Sequence, residues 1–194
     1  MQKFNDPIIN KLANKFGDLK KNTRSRYLFE DLVDSITSQQ LSIKAAATIF
    51  GRIRALFHKK TLVPELILSL KPDQLRACGL SWAKVAYVQD LAQKCLDGFI
   101  DLDNLEKWSD EEIIKHLVAV KGIGRWTAEM LLMFTLKRPD VFPVDDLGIQ
   151  KAMCKLYNLR PTKTLKVRLQ KIAKNWIPNR TLACRYLWKS LENK

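Results

Sequence analysis

No two of the four cysteines, Cys78, Cys95, Cys154 and Cys184, form a C-x-x-C pair, and the 194 residues contain only two histidines, His58 and His116. Metal-ligating side chains this sparse argue against a zinc ribbon, an iron–sulfur cluster or a disulfide scaffold, and predict reduced thiols. No run of 18 apolar residues is present, so no membrane-spanning helix is expected. The opening stretch MQKFNDPIINKLANKFGDLK lacks a continuous apolar core and a small-residue cleavage site, which predicts a chain that stays in the compartment where it is made. Acidic residues are scarce as well: 20 Asp and Glu face 34 Lys and Arg, for a formal charge of +14. The excess is spread along the chain without a basic tail, and nucleic acid is the partner it points to.

Convincing period-two alternation is also missing. The apolar period is helical almost throughout, so the expected fold class is all-α, with roughly ten short helices and short loops. Asp6-Pro7 reads as an N-cap with proline at the first helical position, and the helix it opens should stop at Gly17. Further helices are expected over roughly Tyr27 to Ser38 and Ser42 to about Phe57. Another runs from a Ser81 cap to Gly98, with Val85, Val88, Ala92 and Cys95 on one stripe. Ser109 and Glu112 have the spacing of a capping box, and that helix should reach the glycines of the next segment. The last two helices should follow Pro161 and Pro178.

In LVAVKGIGRWTAEMLL two glycines, Gly122 and Gly124, separate helical patterns, and a helix opens at Arg125. Backbone N–H groups at a helix start lack internal partners and sit at the positive end of the dipole, so a phosphate fits there. Taken alone, the glycines serve equally well as a C-cap and an ordinary turn. With Leu117 and Val120 before the turn, Ile123 inside it, and Ala128 and Leu132 after it, the segment resembles a helix-hairpin-helix motif, which grips a DNA backbone without reading sequence. Downstream, RPDVFPVDDLGIQKAM sets Asp145 and Asp146 side by side before another helix. Either aspartate alone would be read as an N-cap.

Hairpin, short helix, then VFPVDDLG is an order similar to that of the helix-hairpin-helix base-excision glycosylases. GIGRWTAEMLLMF with VFPVDDLG resembles the DNA-3-methyladenine glycosylase II family, as do SITSQQLSIKAA, GLSWAKVAYVQDLA and NWIPNRTLACRYLW. The resemblance implies two helical lobes with the active cleft between them: a central lobe over 24–136, and a second formed by 1–23 and 137–194. It makes Asp146, directly before Leu147-Gly148 and five residues before Lys151, the catalytic carboxylate, and leaves Asp145 as a cap or solvent neighbour. It assigns DNA backbone contacts to Lys121, Gly122, Ile123, Gly124, Arg125 and Thr127, and points to Gln40, flanked by Gln39 and Leu41, as the wedge that fills the gap of a flipped nucleotide. The resemblance places Trp126 at the base pocket and makes Asn179 a pocket position; Trp82, Tyr87, Phe16 and Met130 are further candidates for the pocket wall and serve equally well as core.

Trp126 stands where the strand-cutting branch of the superfamily carries a Schiff-base lysine, so base removal by water alone is implied. Asn179 departs from the aromatic residue usual between the proline and arginine of W-x-P-x-R. No cofactor and no catalytic metal are implied, although carbonyls of 121–124 would suit a monovalent cation. The expected partner is double-stranded DNA with alkylated bases, bound by a monomer. The expected location is cytoplasmic, at the nucleoid in a bacterium, or nuclear in a eukaryote. A non-catalytic DNA-binding hairpin module, or a glycosylase for uracil, hypoxanthine or oxidised bases, are the competing readings.

Overall fold

The computed structural model describes residues 3–19, 27–57 and 61–192; His58 and the expected lobe boundary at residue 24 lie outside them. Every regular element among the described residues is helical. In chain order these are α1 (Pro7–Phe16), α2 (Leu28–Ser38), α3 (Ile43–Ala55), α4 (Pro64–Leu68), α5 (Pro72–Ala77), α6 (Trp82–Leu96), α7 (Asp110–Val118), α8 (Arg125–Phe134), α9 (Leu147–Leu156), α10 (Leu165–Ala173) and α11 (Arg180–Glu192). Short 3-10 turns at Leu105–Lys107 and Lys174–Trp176 complete the set. None of the described helices is long and apolar enough to cross a membrane. The chain divides into two compact units, Met1–Arg24 with Leu132–Lys194, and Ser25–Leu131. The second division falls inside α8.

In the unit Ser25–Leu131, α6 is the central post. Its Val85, Val88, Leu91 and Ala92 are buried, and α2, α4 and α5 pack against it. Cys95, expected on that stripe, is half-buried, and burial, aided by Glu65, pushes its thiol up to about 12. Such a thiol stays protonated and unreactive. Ser42, Ser81 and Ser109 each accept a first-turn N–H, and Glu112 returns a bond to the Ser109 N–H at 2.7 Å. Each such cap is worth about 1 kcal/mol. Buried Glu30 accepts the Leu62 N–H at 2.8 Å, tying α2 to the segment before α4.

One boundary differs from that the sequence predicts. The third helix stops at Ala55, close to the expected end, but α7 stops at Val118, before either glycine of the hairpin. The reason at α7 is local, because Val120 N–H turns back to the Leu117 carbonyl at 3.0 Å and closes the helix early.

In the other unit, α1 and α9 pack against α11. Asp6 organises this arrangement. Its Oδ1 caps α1 by accepting the N–H groups of Ile8 and Ile9 at 2.9 and 3.1 Å. Its Oδ2 accepts the Tyr157 hydroxyl at 2.7 Å and the Trp176 indole N–H at 2.9 Å. Gly17 ends α1 at φ +64, and its carbonyl accepts the Tyr186 hydroxyl at 3.0 Å. Ile9, Ile149, Met153, Leu169, Trp176 and Leu187 are buried in the core of this unit.

Candidate functional site

The hairpin lies between Val118 and Arg125. Leu117, Val120 and Ile123 are buried, and Ile123 N–H closes the turn onto the Val120 carbonyl at 3.1 Å. Gly122 is required twice over: its φ is +80, and an added Cβ would stand 2.1 Å from the Tyr87 ring. Gly124 is required by neither criterion, since its φ is ordinary and an added Cβ would meet nothing within 4 Å. Its missing side chain keeps open an outward approach to the start of α8. Gly122→Ala should therefore destabilise the fold by several degrees in a thermal melt, whereas Gly124→Ala should melt like wild type and weaken DNA binding on every sequence alike. An unchanged affinity for Gly124→Ala would remove the hairpin from the DNA contact.

The side chains around this turn depart from the expected phosphate grip. Arg125, expected to add charge for the phosphates, has its guanidinium held by Glu111 at 2.6 and 3.2 Å and by Glu129 at 3.2 Å. Those carboxylates neutralise it in place. Thr127, another expected DNA contact, is buried, as is Ile123, so their side chains support the hairpin from within. Lys121 is exposed, with its N–H donating to Asp90 Oδ2 at 2.9 Å. Of the carbonyls suggested for a cation, Gly122 O already accepts Gln39 Nε2 at 2.8 Å and Gly124 O accepts the Ala128 N–H at 3.1 Å.

That same bond ties Gln39, which flanks the expected wedge residue Gln40, to the hairpin. Gln40, at φ +56, and Leu41 are exposed at the tip of the turn between α2 and α3. The expected pocket residues lie on several different elements. Trp126, 47% exposed, and Met130, half-buried, lie one helical turn apart on one face of α8. The Tyr87 ring packs under Gly122 and supports the hairpin. Trp82 is 56% exposed at the first position of α6. Phe16 lies in the last turn of α1, and Asn179 directly precedes α11, with its carbonyl accepting the Ala183 N–H.

In the unit holding both termini, Asp146 is 9% exposed and is itself the N-cap of α9. Its Oδ1 accepts the Ile149 N–H at 2.7 Å and the Trp188 indole N–H at 2.9 Å. Asp145 is therefore not the cap. Because α9 starts at Leu147, only Asp146 occupies the preceding position, and exposed Asp145 pairs with Lys166 at 2.5 Å. Gly148 makes the indole contact possible: an added Cβ would lie 3.0 Å from Asp146 Oδ1 and 3.1 Å from Trp188 Nε1. The Trp188 ring also lies 5.8 Å from that of Phe134, and both line an open groove of about 480 Å³.

The loop leading to Asp146 is fastened to the first turn of α11. Arg180 donates from Nε and Nη2 to the two Asp140 carboxylate oxygens at 2.8 and 2.9 Å, and from Nη2 to the Asp140 carbonyl at 2.9 Å. Thr181 accepts the Val141 N–H and donates its hydroxyl to the Arg138 carbonyl. Gln150 reaches back to the Val144 carbonyl at 2.8 Å. Trp188, Gly148 and Arg180 escape sequence reasoning as site residues, although NWIPNRTLACRYLW displays two of them. Lys151 is exposed on α9. His116 is a poor candidate base, since its ring packs tilted against Trp108 and Phe99 with Nδ1 facing the Glu112 carbonyl at 2.8 Å. Among the described residues, no group of three or more His, Cys, Asp or Glu is placed to hold a metal ion.

Residues 33–178 match the family described as HhH-GPD superfamily base excision DNA repair protein. A DNA-3-methyladenine glycosylase 1 from Schizosaccharomyces pombe is 39% identical over 164 residues, covering 84% of this chain and 72% of the relative. The crystal structure of a Bacillus halodurans DNA-3-methyladenine glycosidase superposes with a TM-score of 0.88 at 36% identity, covering 97% of this chain and 86% of the other. A Schizosaccharomyces pombe 3-methyladenine DNA glycosylase in complex with abasic DNA gives 0.82 at 36% identity, covering 96% and 92%.

Proposed function

Because this chain belongs to the HhH-GPD superfamily of base-excision DNA repair proteins, we propose that it is a DNA glycosylase that flips an alkylated purine out of duplex DNA and hydrolyses its N-glycosidic bond. The observation that carries this reading is the buried Asp146 carboxylate, with one oxygen fixed by two donors ahead of α9. A carboxylate so fixed is preorganised to stabilise positive charge that develops on a sugar as the bond breaks. Relatives named for 3-methyladenine support the same substrate class.

The chemistry needs little from the protein at the leaving base. An N3- or N7-alkylated purine is already cationic and departs with the electron pair of the glycosidic bond as a neutral base. Water then adds to the anomeric carbon, and its proton passes to Asp146 or to solvent. Base flipping is required because the reacting carbon is inaccessible within the stack. Trp126 offers an aromatic face to the cationic base, worth about 0.5 to 2 kcal/mol, and no amine for covalent attack. Gln40, at the exposed turn tip, fills the gap left in the duplex.

The test is single-turnover release of 3-methyladenine and of hypoxanthine from otherwise identical duplexes, with and without borohydride. We expect faster release of 3-methyladenine and no trapped covalent adduct. Faster release of hypoxanthine would overturn the alkylpurine preference, a trapped band would overturn the purely hydrolytic mechanism, and no release of either base would leave only a DNA-binding module.

A further inference from the structure

Lys84, Tyr87 and Asp90 take no part in the chemistry above, yet they recur every third residue along α6, within an arc of about 120°. Each engages a different piece of the surface assigned to DNA. Lys84 Nζ donates to the carbonyls of Thr37 and Gln39 at 2.8 and 2.7 Å, holding the end of α2 where the Gln40 turn begins. The Tyr87 ring lies under Gly122 so closely that no side chain fits between them. Asp90 accepts the Lys121 N–H at 2.9 Å through Oδ2 and Lys94 Nζ at 2.7 Å through Oδ1. Gln39 closes the circuit by donating to the Gly122 carbonyl.

The charges fit a structural device. Burial pulls the Lys84 ammonium below its ordinary pKa, and the two carbonyls compensate the desolvated cation. Burial pushes Asp90 up, but the bonds from Lys94 and from the Lys121 N–H outweigh it and hold the carboxyl below its usual range.

We propose that this face of α6 is a splint that locks the Gln40 turn to the hairpin, so that the hairpin's hold on the phosphate backbone fixes where Gln40 enters the duplex. Lys84 and Gln39 are positioning residues, and Gln40 is the side chain they aim. This rests on the glycosylase reading for its use, and on the hydrogen bonds alone for its existence. It also gives a physical role to the S-x-x-K-x-x-Y spacing of SWAKVAY, in which Ser81 starts the helix and Lys84 and Tyr87 reach the two turns.

Two variants test it. Lys84→Met keeps the aliphatic stem and removes the ammonium; Gln39→Met does the same to an amide whose bond to the hairpin is solvent-exposed, so folding is not at stake. Release of 3-methyladenine from a fully paired duplex should fall on the order of tenfold in either variant, the loss expected for about 1.4 kcal/mol of positioning. Affinity for undamaged duplex should not change. Release from a duplex whose lesion sits in a single-nucleotide bulge should match wild type, since no partner strand must be displaced, and Lys84→Arg should recover activity on the paired substrate. An equal loss on both substrates, or a fall in duplex affinity that tracks the rate, would overturn the splint. Amide exchange reads the splint independently of activity: exchange at Leu41 and Ile123 should rise together in both variants. Unchanged exchange would sink the splint even if wild type proved to be a glycosylase, and a wild type inactive on both substrates would sink the glycosylase reading alone.

Discussion

Asp146→Asn should release 3-methyladenine at least about 10²- to 10³-fold more slowly than wild type, the range set by losing one preorganised electrostatic stabiliser, while binding abasic duplex with unchanged affinity. The substitution is isosteric. Its remaining carbonyl oxygen can still accept the Ile149 and Trp188 N–H groups, so the cap of α9 and the indole contact survive. What disappears is the negative charge, and it is needed only when the sugar becomes cationic. The loss should accordingly fall on the single-turnover rate and spare binding. Asp145→Asn should leave the rate near wild type, because that carboxylate is exposed and paired with Lys166, an arrangement of small energetic value. A rate for Asp146→Asn within tenfold of wild type, or a larger defect in Asp145→Asn, would show that the reacting carboxylate has been misplaced. Thermal melts of both variants that match wild type would exclude a folding defect as the cause.

The features that sequence exposes here are those whose physics is local. Asp6-Pro7, Ser81 and the Ser109–Glu112 box are caps made within three residues, so the composition of one turn determines them. Gly122 belongs to the same class on account of its positive φ. The residues that sequence leaves incomplete are those whose partner lies far along the chain. Arg125 looks like a phosphate ligand until Glu111, fourteen residues earlier, is found on its guanidinium. Gln39 looks like a mere neighbour of Gln40 until its amide is found on Gly122, 83 residues away. Trp188 reaches Asp146 across 42 residues, and no periodicity announces that pairing. Asp145 and Asp146 show the limit of local reading most sharply. Both are good capping residues, and a one-residue shift in the start of α9 decides which of them turns inward.

The largest stability effect should come from Asp6, although it belongs to no proposed site. Asp6→Asn should cost about 2 to 4 kcal/mol and Asp6→Ala about 3 to 5 kcal/mol, both read from denaturant unfolding. Asp6 is 5% exposed, and its two oxygens have separate duties: Oδ1 caps α1, while Oδ2 accepts from Tyr157 and Trp176. Asparagine can keep the cap but turns an N–H₂ donor toward the buried Trp176 indole N–H, which can only donate and is left without its acceptor, while the Tyr157 hydroxyl must reverse from donor to acceptor. Alanine removes the cap as well, adding about 1 kcal/mol. Burial and the bond to Asp6 also raise the Tyr157 hydroxyl above its usual range, so this phenol stays a proton donor throughout physiological pH. Asp6→Ser provides the internal control, because serine can restore the cap without reaching Tyr157 or Trp176; it should fall between wild type and alanine. If Asp6→Asn unfolded within about 1 kcal/mol of wild type, water would have to be replacing Oδ2, and the carboxylate would be a helix cap with no role in joining α1 to the C-terminal helices.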